Sequence, residues 1–340
     1  MPTSTVVLSS GLLIGGLFGA TSQISGFCLV RGLRQRWSLQ PNDQLAAFAI
    51  ALAVALLGTH LAYLGQWVDI TQSVYLQPTI SWLLLPLGGF LFGYGMMLAN
   101  SCGGRALVLF GQGNLRSLFV LLVLGISAYL TLTGVLAPLR LALAQATSLN
   151  MPALPWQQGL MRHLSVAVLV LGLLLFAIRT PGSAHKTKAL AGGIMIGLLM
   201  VAAWFVTGWL GADPFDPIPV VSLSFILPIG DTIQYSMLAT GMELRFGITV
   251  VLGVILGALI SALVRGQWQL QGFSTSTQMA RYALGAVFMG IGGVLALGCS
   301  IGQGLGGLST LSLSSLIACL GILLGARIGA KYPLPPTSSP

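Results

Sequence analysis

The sequence predicts an all-α polytopic membrane protein with about nine transmembrane helices and short re-entrant helices. We expect two inverted four-helix repeats joined by a linker helix, in an hourglass-like arrangement. Composition predicts the class: 55% of the 340 residues are hydrophobic and only 6% are charged, whereas soluble domains carry about 25% charged residues. These numbers exclude a water-soluble enzyme and a disordered chain. The long continuous apolar runs exclude a β-barrel, which needs alternating segments of about ten residues.

Glycine content is the second observation, since 45 residues are glycine and small residues let membrane helices pack closely. The net charge of +9 does not indicate nucleic-acid binding, because the basic residues fall in short loops between apolar runs. Four cysteines without CxxC or Cys/His spacing favour neither a disulfide scaffold nor a metal site, and no cofactor motif is present. No basic segment precedes the first apolar run, so we predict a retained span, not a cleaved signal peptide.

Nine apolar stretches approach the roughly 20 residues that a membrane span requires. The predicted spans are 8–30, 44–65, 80–98, 117–139, 162–179, 189–210, 243–264, 281–298 and 312–330. Twelve of the 15 Lys and Arg residues fall on one side of these spans, and Arg140, Arg162 and Arg245 fall on the other. Because basic loops stay in the cytoplasm, we expect the N-terminus outside and the C-terminus inside.

The longest outer connection, residues 211–242, carries two further features. It begins with the turn-rich stretch 213–217, Asp-Pro-Phe-Asp-Pro. The run 222–240 is apolar but interrupted by Pro228 and Gly230, which predicts a short re-entrant segment whose backbone the protein must bury.

An internal repeat is the third observation. Residues 88–102 and 285–299 align at an offset of 197 with six identities: Gly88/Gly285, Gly93/Gly290, Gly95/Gly292, Leu98/Leu295, Ala99/Ala296 and Cys102/Cys299. Residues 113–118 match 306–311 at an offset of 193. The first span matches more weakly at an offset of 182, through the pairs Gly11/Gly193, Gly15/Gly197, Ala20/Ala202 and Gly26/Gly208.

The repeat divides the chain into a first repeat at 1–145, a linker span at 146–187, a second repeat at 188–332 and a flexible tail at 333–340. Four spans plus one linker span place the second half upside down relative to the first. Inverted repeats with interrupted helices are typical of transporters, whose binding sites lie near the membrane midplane.

Cys102 and Cys299 each follow an apolar span and precede a glycine-rich polar stretch. We interpret these stretches as broken helices, whose N-terminal N–H groups favour anions, and expect the two thiols to meet near the axis. Cys28 ends the first predicted span. Further path candidates are Ser101, Arg105, Gln112, Asn114, Ser300 and Gln303.

Simpler interpretations stand beside these. Gly93, Gly95, Gly290, Gly292 and Gly304 are packing or re-entrant glycines. Arg105 is either an anchor at the cytoplasmic edge or a guide for an anion. Cys319, alone among Leu and Ala, is interpreted as a small buried hydrophobe, and the three histidines as structural. Thiols are weak donors with polarizable sulfur, so a thiol-lined path suits a soft sulfur-bearing anion.

Several segments together resemble the YeeE/YedE family of sulfur-compound transporters. They are residues 25–28, 98–105, 113–118, 215–217 with 222–225, and 293–304. The resemblance covers about residues 8–332. The pair Gly103-Gly104 departs from it, since bulkier or hydroxyl residues are expected before the arginine.

The resemblance implies a bacterial inner-membrane protein that takes up thiosulfate along a path of three thiols, matching Cys28, Cys102 and Cys299. It also implies a small cytoplasmic sulfur-carrier partner of the TusA type, and no enzymatic activity. Two alternatives stay open: transport of another sulfur or selenium species, and a membrane thiol oxidoreductase that uses Cys102 and Cys299 as a redox pair.

Overall fold

The computed structural model describes residues 3–150, 155–157, 159–212 and 218–331. In these residues the chain is mainly helical. The α-helices are α1 Thr3–Ser25, α2 Leu29–Trp37, α3 Asp43–Leu64, α4 Leu84–Leu98, α5 Gly103–Gly111, α6 Leu115–Leu132, α7 Ala137–Ala146, α8 Gly159–Arg179, α9 Lys186–Phe205, α10 Ile226–Met237, α11 Phe246–Val264, α12 Ser276–Leu295 and α13 Leu313–Gly329. Two π-helical segments span Val206–Leu210 and Gly302–Gly307, and three short 3-10 turns span Ile70–Gln72, Val74–Leu76 and Pro155–Gln157. Two short strands, β1 Thr79–Ser81 and β2 Ser148–Asn150, pair antiparallel.

The predicted fold class is confirmed. Seven apolar stretches in the described residues are long enough to cross a membrane, and the first of them joins α1 and α2. A helix occupies each predicted span. The helices at the third and ninth positions, α4 and α13, are short, with 15 and 17 residues, or about 22 and 25 Å at 1.5 Å per residue. The count of nine spans therefore stays a prediction.

Several predicted boundaries are wrong. The third span, predicted at 80–98, is α4, which begins at Leu84, and the eighth, predicted at 281–298, is α12, which spans Ser276–Leu295. Two further predicted spans are broken by a turn. The first span, predicted at 8–30, ends at Ser25, because Gly26 adopts a φ of 69° that turns the chain before α2 begins. The fourth, predicted at 117–139, ends at Leu132, and a turn then leads into α7. The predicted turn-rich segment 213–217 and the tail 333–340 lie outside the described residues.

Glycines bring helix backbones into direct contact around the core. A Cβ at Gly15 of α1 would lie 2.9 Å from the Val250 carbonyl carbon of α11, and one at Gly193 of α9 would lie 3.0 Å from that of Ala47 in α3. Lipid supplies no hydrophobic drive between helices, so such close packing is what holds them together.

The crossing of α4 with α12 has reciprocal contacts. Gly88 packs on the backbone of Ala296, and Gly285 packs on that of Ala99. These four residues are two of the pairs that align at an offset of 197. Gly95 meets the Gly285 carbonyl, and, in the exchanged arrangement, Gly292 meets the Gly88 carbonyl.

The chain breaks in the same way after both helices. Asn100 and Leu297, 197 residues apart, adopt φ values of 54° and 56°, a left-handed conformation that is uncommon outside glycine. The helices that follow, α6 and α13, begin after the N-caps Asn114 and Ser312, 198 residues apart. The offset of 193 predicted for this loop is therefore wrong, because residues 306–307 lie in the π-helical segment.

Candidate functional site

Two short helices begin at cysteines in the centre of the molecule. Cys28 is the N-cap of α2 and Cys102 is the N-cap of α5, both with extended backbone and without a side-chain cap. Cys28 therefore starts a separate helix, which corrects the expectation that it ends the first span. Both residues are buried. The first N–H groups of a helix have no partner within it, so these helix ends carry partial positive charge beside the thiols.

Cys28 and Cys102 line one narrow cavity. Arg105, Ser22 and Ser300 supply its other polar side chains, and the remaining walls are Phe18, Phe27, Phe48, Leu29, Val108 and Ile301, with Gly104. The centre of a water molecule has only about 10 Å³ in which to move, room for about one water. The cavity is closed to a larger ion in this conformation.

Cys299 lies next to this cavity without lining it. It is 1% exposed, and its sulfur accepts a hydrogen bond from the Gly302 N–H at 3.3 Å. Cys28 and Cys299 are both near enough to Cys102 to interact electrostatically with its thiol. Ser300, the next residue, lines the cavity, and its buried hydroxyl interacts with the Cys102 thiol. The structure thus brings the three predicted cysteines into one neighbourhood.

Beyond Cys299 lies a region of hydroxyl and aromatic side chains that sequence reasoning missed. Tyr75 interacts electrostatically with Cys299 and Cys319. A Cβ added at Gly302 would be 3.2 Å from the Tyr75 hydroxyl oxygen and 2.9 Å from that of Ser224. Both side chains therefore pack against this glycine. Because Tyr75 and Ser224 come from loops far apart in sequence, no local motif could have indicated this meeting.

On the opposite side, Arg105 connects the narrow cavity to a larger one. Arg105 lines both cavities, and its Nη1 donates to the Ser22 carbonyl at 3.5 Å. We call the larger cavity the vestibule: it has about 560 Å³ of accessible space and is lined mainly by residues 23–44, 183–189, Arg265 and Gln267. Gln112, another predicted path residue, also lines the vestibule.

The remaining predicted polar residues make structural contacts. Ser101 is buried and donates weakly to the Ala99 carbonyl at 3.4 Å. Asn114 caps α6 and donates to Gln271 at 3.1 Å, away from the cavity. Gln303 ties its segment to the end of α12 by donating to the Ala296 carbonyl at 2.5 Å. The structure does not bring Ser101 or Asn114 to the cavity.

The predicted glycines pack against helices or aromatic rings. Gly93 faces the backbone of α13 at Ile322, Gly290 faces that of α6 at Leu124, and Gly304 lies against Phe48 of the cavity wall. Gly95 and Gly292 lie in the crossing of α4 with α12 described above.

No cluster of three or more His, Cys, Asp or Glu side chains occurs within the described residues. All four cysteines are free thiols. His60 of α3 and His163 of α8 lie 3.0 Å apart through Nε2 and Nδ1, which joins the two helices at a distance from the cysteines.

The fold and site together define a polytopic helical membrane protein with a buried, thiol-lined centre. Residues 24–328 match the family described as sulphur transport. The chain belongs to this family, which confirms the resemblance drawn from the cysteine segments.

Two relatives carry a more specific name. The thiosulfate transporter TsuA of Escherichia coli (strain K12) is 25% identical over 323 residues, which cover 88% of this chain and 87% of the relative. The thiosulfate transporter TsuA of Spirochaeta thermophila is 27% identical over 331 residues, which cover 93% and 96%.

Proposed function

We propose that this protein imports thiosulfate across a bacterial inner membrane by passing the ion between the thiols of Cys28, Cys102 and Cys299. The observation that carries the proposal is the shared cavity of Cys28 and Cys102, with Cys299 adjacent. A neutral thiol donates a hydrogen bond without adding charge. Several weak sites in series let an ion enter and also leave.

The electrostatics of the cavity favour an anion. Its polar lining comprises Arg105, two thiols and the hydroxyls of Ser22 and Ser300, and none of the carboxylates in the described residues lines it. The N-terminal ends of α2 and α5 add unpaired N–H groups. The terminal sulfur of thiosulfate is soft, so it suits the cysteines better than a harder phosphate or carboxylate would.

We further propose that the chain is built from the two inverted repeats at 1–145 and 188–332. The reciprocal contacts between α4 and α12 support this, because a two-fold axis turns each contact into its partner. The left-handed residues Asn100 and Leu297 support it too. In the orientation that the Lys/Arg distribution favours, the N-terminus is periplasmic and the vestibule opens to the cytoplasm.

Transport requires a local opening, because the cavity admits about one water. We propose alternating rearrangement of the short helices, without a continuous pore. Importing a dianion against an inside-negative potential costs about 2 × 2.3 kcal/mol per 100 mV. Either a co-transported ion supplies this free energy or a cytoplasmic sulfur carrier of the TusA type consumes the product.

The test is uptake of radiolabelled thiosulfate by cells that lack their own thiosulfate uptake. We expect Cys28→Ala, Cys102→Ala and Cys299→Ala each to reduce the initial rate by about tenfold, the effect of losing one hydrogen bond of about 1.4 kcal/mol. Cys319→Ala is the matched control, since Cys319 is only partly buried and, unlike Cys28 and Cys299, is not among the groups that interact with the Cys102 thiol. Wild-type rates in the first three variants would overturn the proposal.

Two additions separate the alternatives. Competition of unlabelled sulfite and selenite with labelled thiosulfate ranks the substrates. Mass spectrometry after rapid thiol trapping distinguishes a conduit from an oxidoreductase: thiols that stay free during turnover support the conduit, and a disulfide between Cys102 and Cys299 that cycles with substrate contradicts it.

A further inference from the structure

The vestibule collects positive charge from separate parts of the chain. Arg31 of α2, Lys188 of α9 and Arg265 at the end of α11 line it, and Arg105 lies at its inner end. Of the carboxylates that the structure describes, only that of Asp43 lines the same cavity. Clefts lined by one sign of charge concentrate ions of the opposite sign.

The single carboxylate does not pair with these cations. The Asp43 oxygens accept from the backbone N–H of Ser183 at 2.8 Å and from its hydroxyl. Arg31 and Lys188 form no ion pair or hydrogen bond in the part of the chain that the structure describes. Within the described residues, the Arg265 side chain donates one long hydrogen bond of 3.3 Å, to Gln23 Oε1. The cations are therefore available to an anion from solution.

Neutral polar side chains complete the lining. Six glutamines face the cavity: Gln23, Gln35, Gln40, Gln44, Gln112 and Gln267. Amide NH₂ groups donate hydrogen bonds to oxyanions without adding charge. About 560 Å³ of accessible space accommodates a hydrated ion. The mostly polar lining favours a water-soluble ion over a lipid headgroup with its acyl chains.

We propose that the vestibule is a second anion site, which binds divalent sulfur oxyanions through Arg31, Lys188 and Arg265. This site recognises charge and oxygen atoms, so it binds sulfate as well as thiosulfate, unlike the thiols. Its role as the exit station after Arg105 rests on the proposed function. The binding of sulfate does not, which makes the two claims separable.

The experiment measures binding of radiolabelled sulfate by equilibrium dialysis, with the full chain in phosphatidylcholine nanodiscs at low ionic strength. We compare the wild type, the double variant Lys188→Gln/Arg265→Gln, and the triple variant Cys28→Ser/Cys102→Ser/Cys299→Ser. Arg36→Gln is the matched control, because Arg36 is an exposed arginine of α2 that does not line the vestibule. Size-exclusion chromatography establishes that each variant is folded.

We expect the double variant to bind sulfate about tenfold more weakly, at roughly threefold to fivefold per exposed charge. The triple cysteine variant and Arg36→Gln bind like the wild type. Binding by the wild type weakens as salt rises from about 0.01 M to 0.1 M, since the Debye length falls from about 30 Å to 10 Å. Unchanged binding in the double variant, or lost binding in the triple cysteine variant, would overturn the proposal.

A second arm tests the source of the anion. The same measurement is repeated in nanodiscs that contain phosphatidylglycerol. If sulfate binding persists, the site serves a soluble oxyanion, as proposed. If the anionic lipid abolishes it at constant ionic strength, a lipid headgroup occupies the vestibule and the proposal fails.

Discussion

The two helix breaks, after α4 and after α12, share a backbone and differ in chemistry. Asn100 and Leu297 turn the chain with nearly the same φ, and each is followed two residues later by a buried cysteine. After Cys102 comes the regular helix α5, which carries Arg105 toward the vestibule. After Cys299 comes an uncharged π-helical segment that lies against Tyr75 and Ser224.

The comparison distinguishes the backbone that the two breaks share from the side chains that differ between them. The shared backbone places one thiol at each break. The different segments make one side of the centre cationic and the other neutral. In the path that we propose, this asymmetry gives transport a direction. The following predictions test the shared backbone and the differing chemistry of the two breaks, from the largest expected effect to the smallest.

The features that the two breaks share are tested at the crossing of α4 with α12, the helices that precede them. We expect Gly95→Leu and Gly292→Leu each to abolish the folded protein, at a cost above about 3 kcal/mol. A Cβ at Gly95 would lie 2.5 Å from the Gly285 carbonyl oxygen, and one at Gly292 would lie 2.6 Å from that of Gly88. The measurement is the monodisperse fraction in fluorescence-detected size-exclusion chromatography.

The matched control is Gly172→Leu, since nothing lies within 4 Å of a Cβ at that position of α8. If Gly292→Leu is as stable as the control while Gly95→Leu is unfolded, the two contacts of the crossing are not equivalent.

The cationic side is tested at Arg105. We expect Arg105→Gln to lower thiosulfate uptake by at least about tenfold, because a hydrogen bond to a charged group contributes about 1.5–3 kcal/mol. Arg105→Lys keeps the charge but loses the planar donor geometry. We therefore expect its uptake rate to lie between those of the wild type and Arg105→Gln. If Arg105→Gln and the exposed control Arg36→Gln have equal initial rates of uptake, Arg105 does not contact the transported ion.

The neutral side is tested at Gly302, which lies 197 residues after Arg105. An added Cβ would lie 2.9 Å from the Ser224 hydroxyl oxygen and 3.2 Å from that of Tyr75. We expect Gly302→Ala to slow uptake about fivefold by crowding this side, which corresponds to about 1 kcal/mol, the lower end of the cost of overpacking. The double variant Gly302→Ala/Ser224→Ala removes the nearest atom and recovers part of the rate. No recovery would show that the loss does not come from this contact.

The smallest effect is expected at Asn100 and Leu297, the two residues with left-handed backbone. A left-handed conformation costs a leucine about 1 kcal/mol more than glycine, whereas asparagine tolerates it. We expect Leu297→Gly to raise Tm, since Leu297 is 49% exposed and forfeits little packing. Asn100→Gly should leave Tm nearly unchanged. A larger gain from Asn100→Gly would mean that the two turns differ in strain despite their similar φ.

Much of this comparison could be predicted from sequence. Long apolar runs located the helices, and the spacing of Gly88, Gly95 and Cys102 against their counterparts indicated the repeat. These signals are local or periodic, so a single sequence carries them. The nine-residue helix α2 was missed, because three arginines in it mask its apolar residues and Gly26 interrupts the span before it.

The rest depends on long-range contacts. The vestibule draws Arg31, Lys188 and Arg265 from three different helices, and Tyr75 meets Gly302 from a loop more than 200 residues earlier. The loop offset was misjudged because a glycine match at 113 and 306 outweighed the capping residues Asn114 and Ser312, whose hydrogen bonds fix where the helices begin.

The most direct test of the central claim is a structure of the full chain with thiosulfate bound. The account predicts an anion between the sulfurs of Cys28 and Cys102, within hydrogen-bonding distance of both, in a cavity widened to admit it. An anion held elsewhere in the membrane-spanning region, with both thiols still packed around the closed cavity, would contradict it.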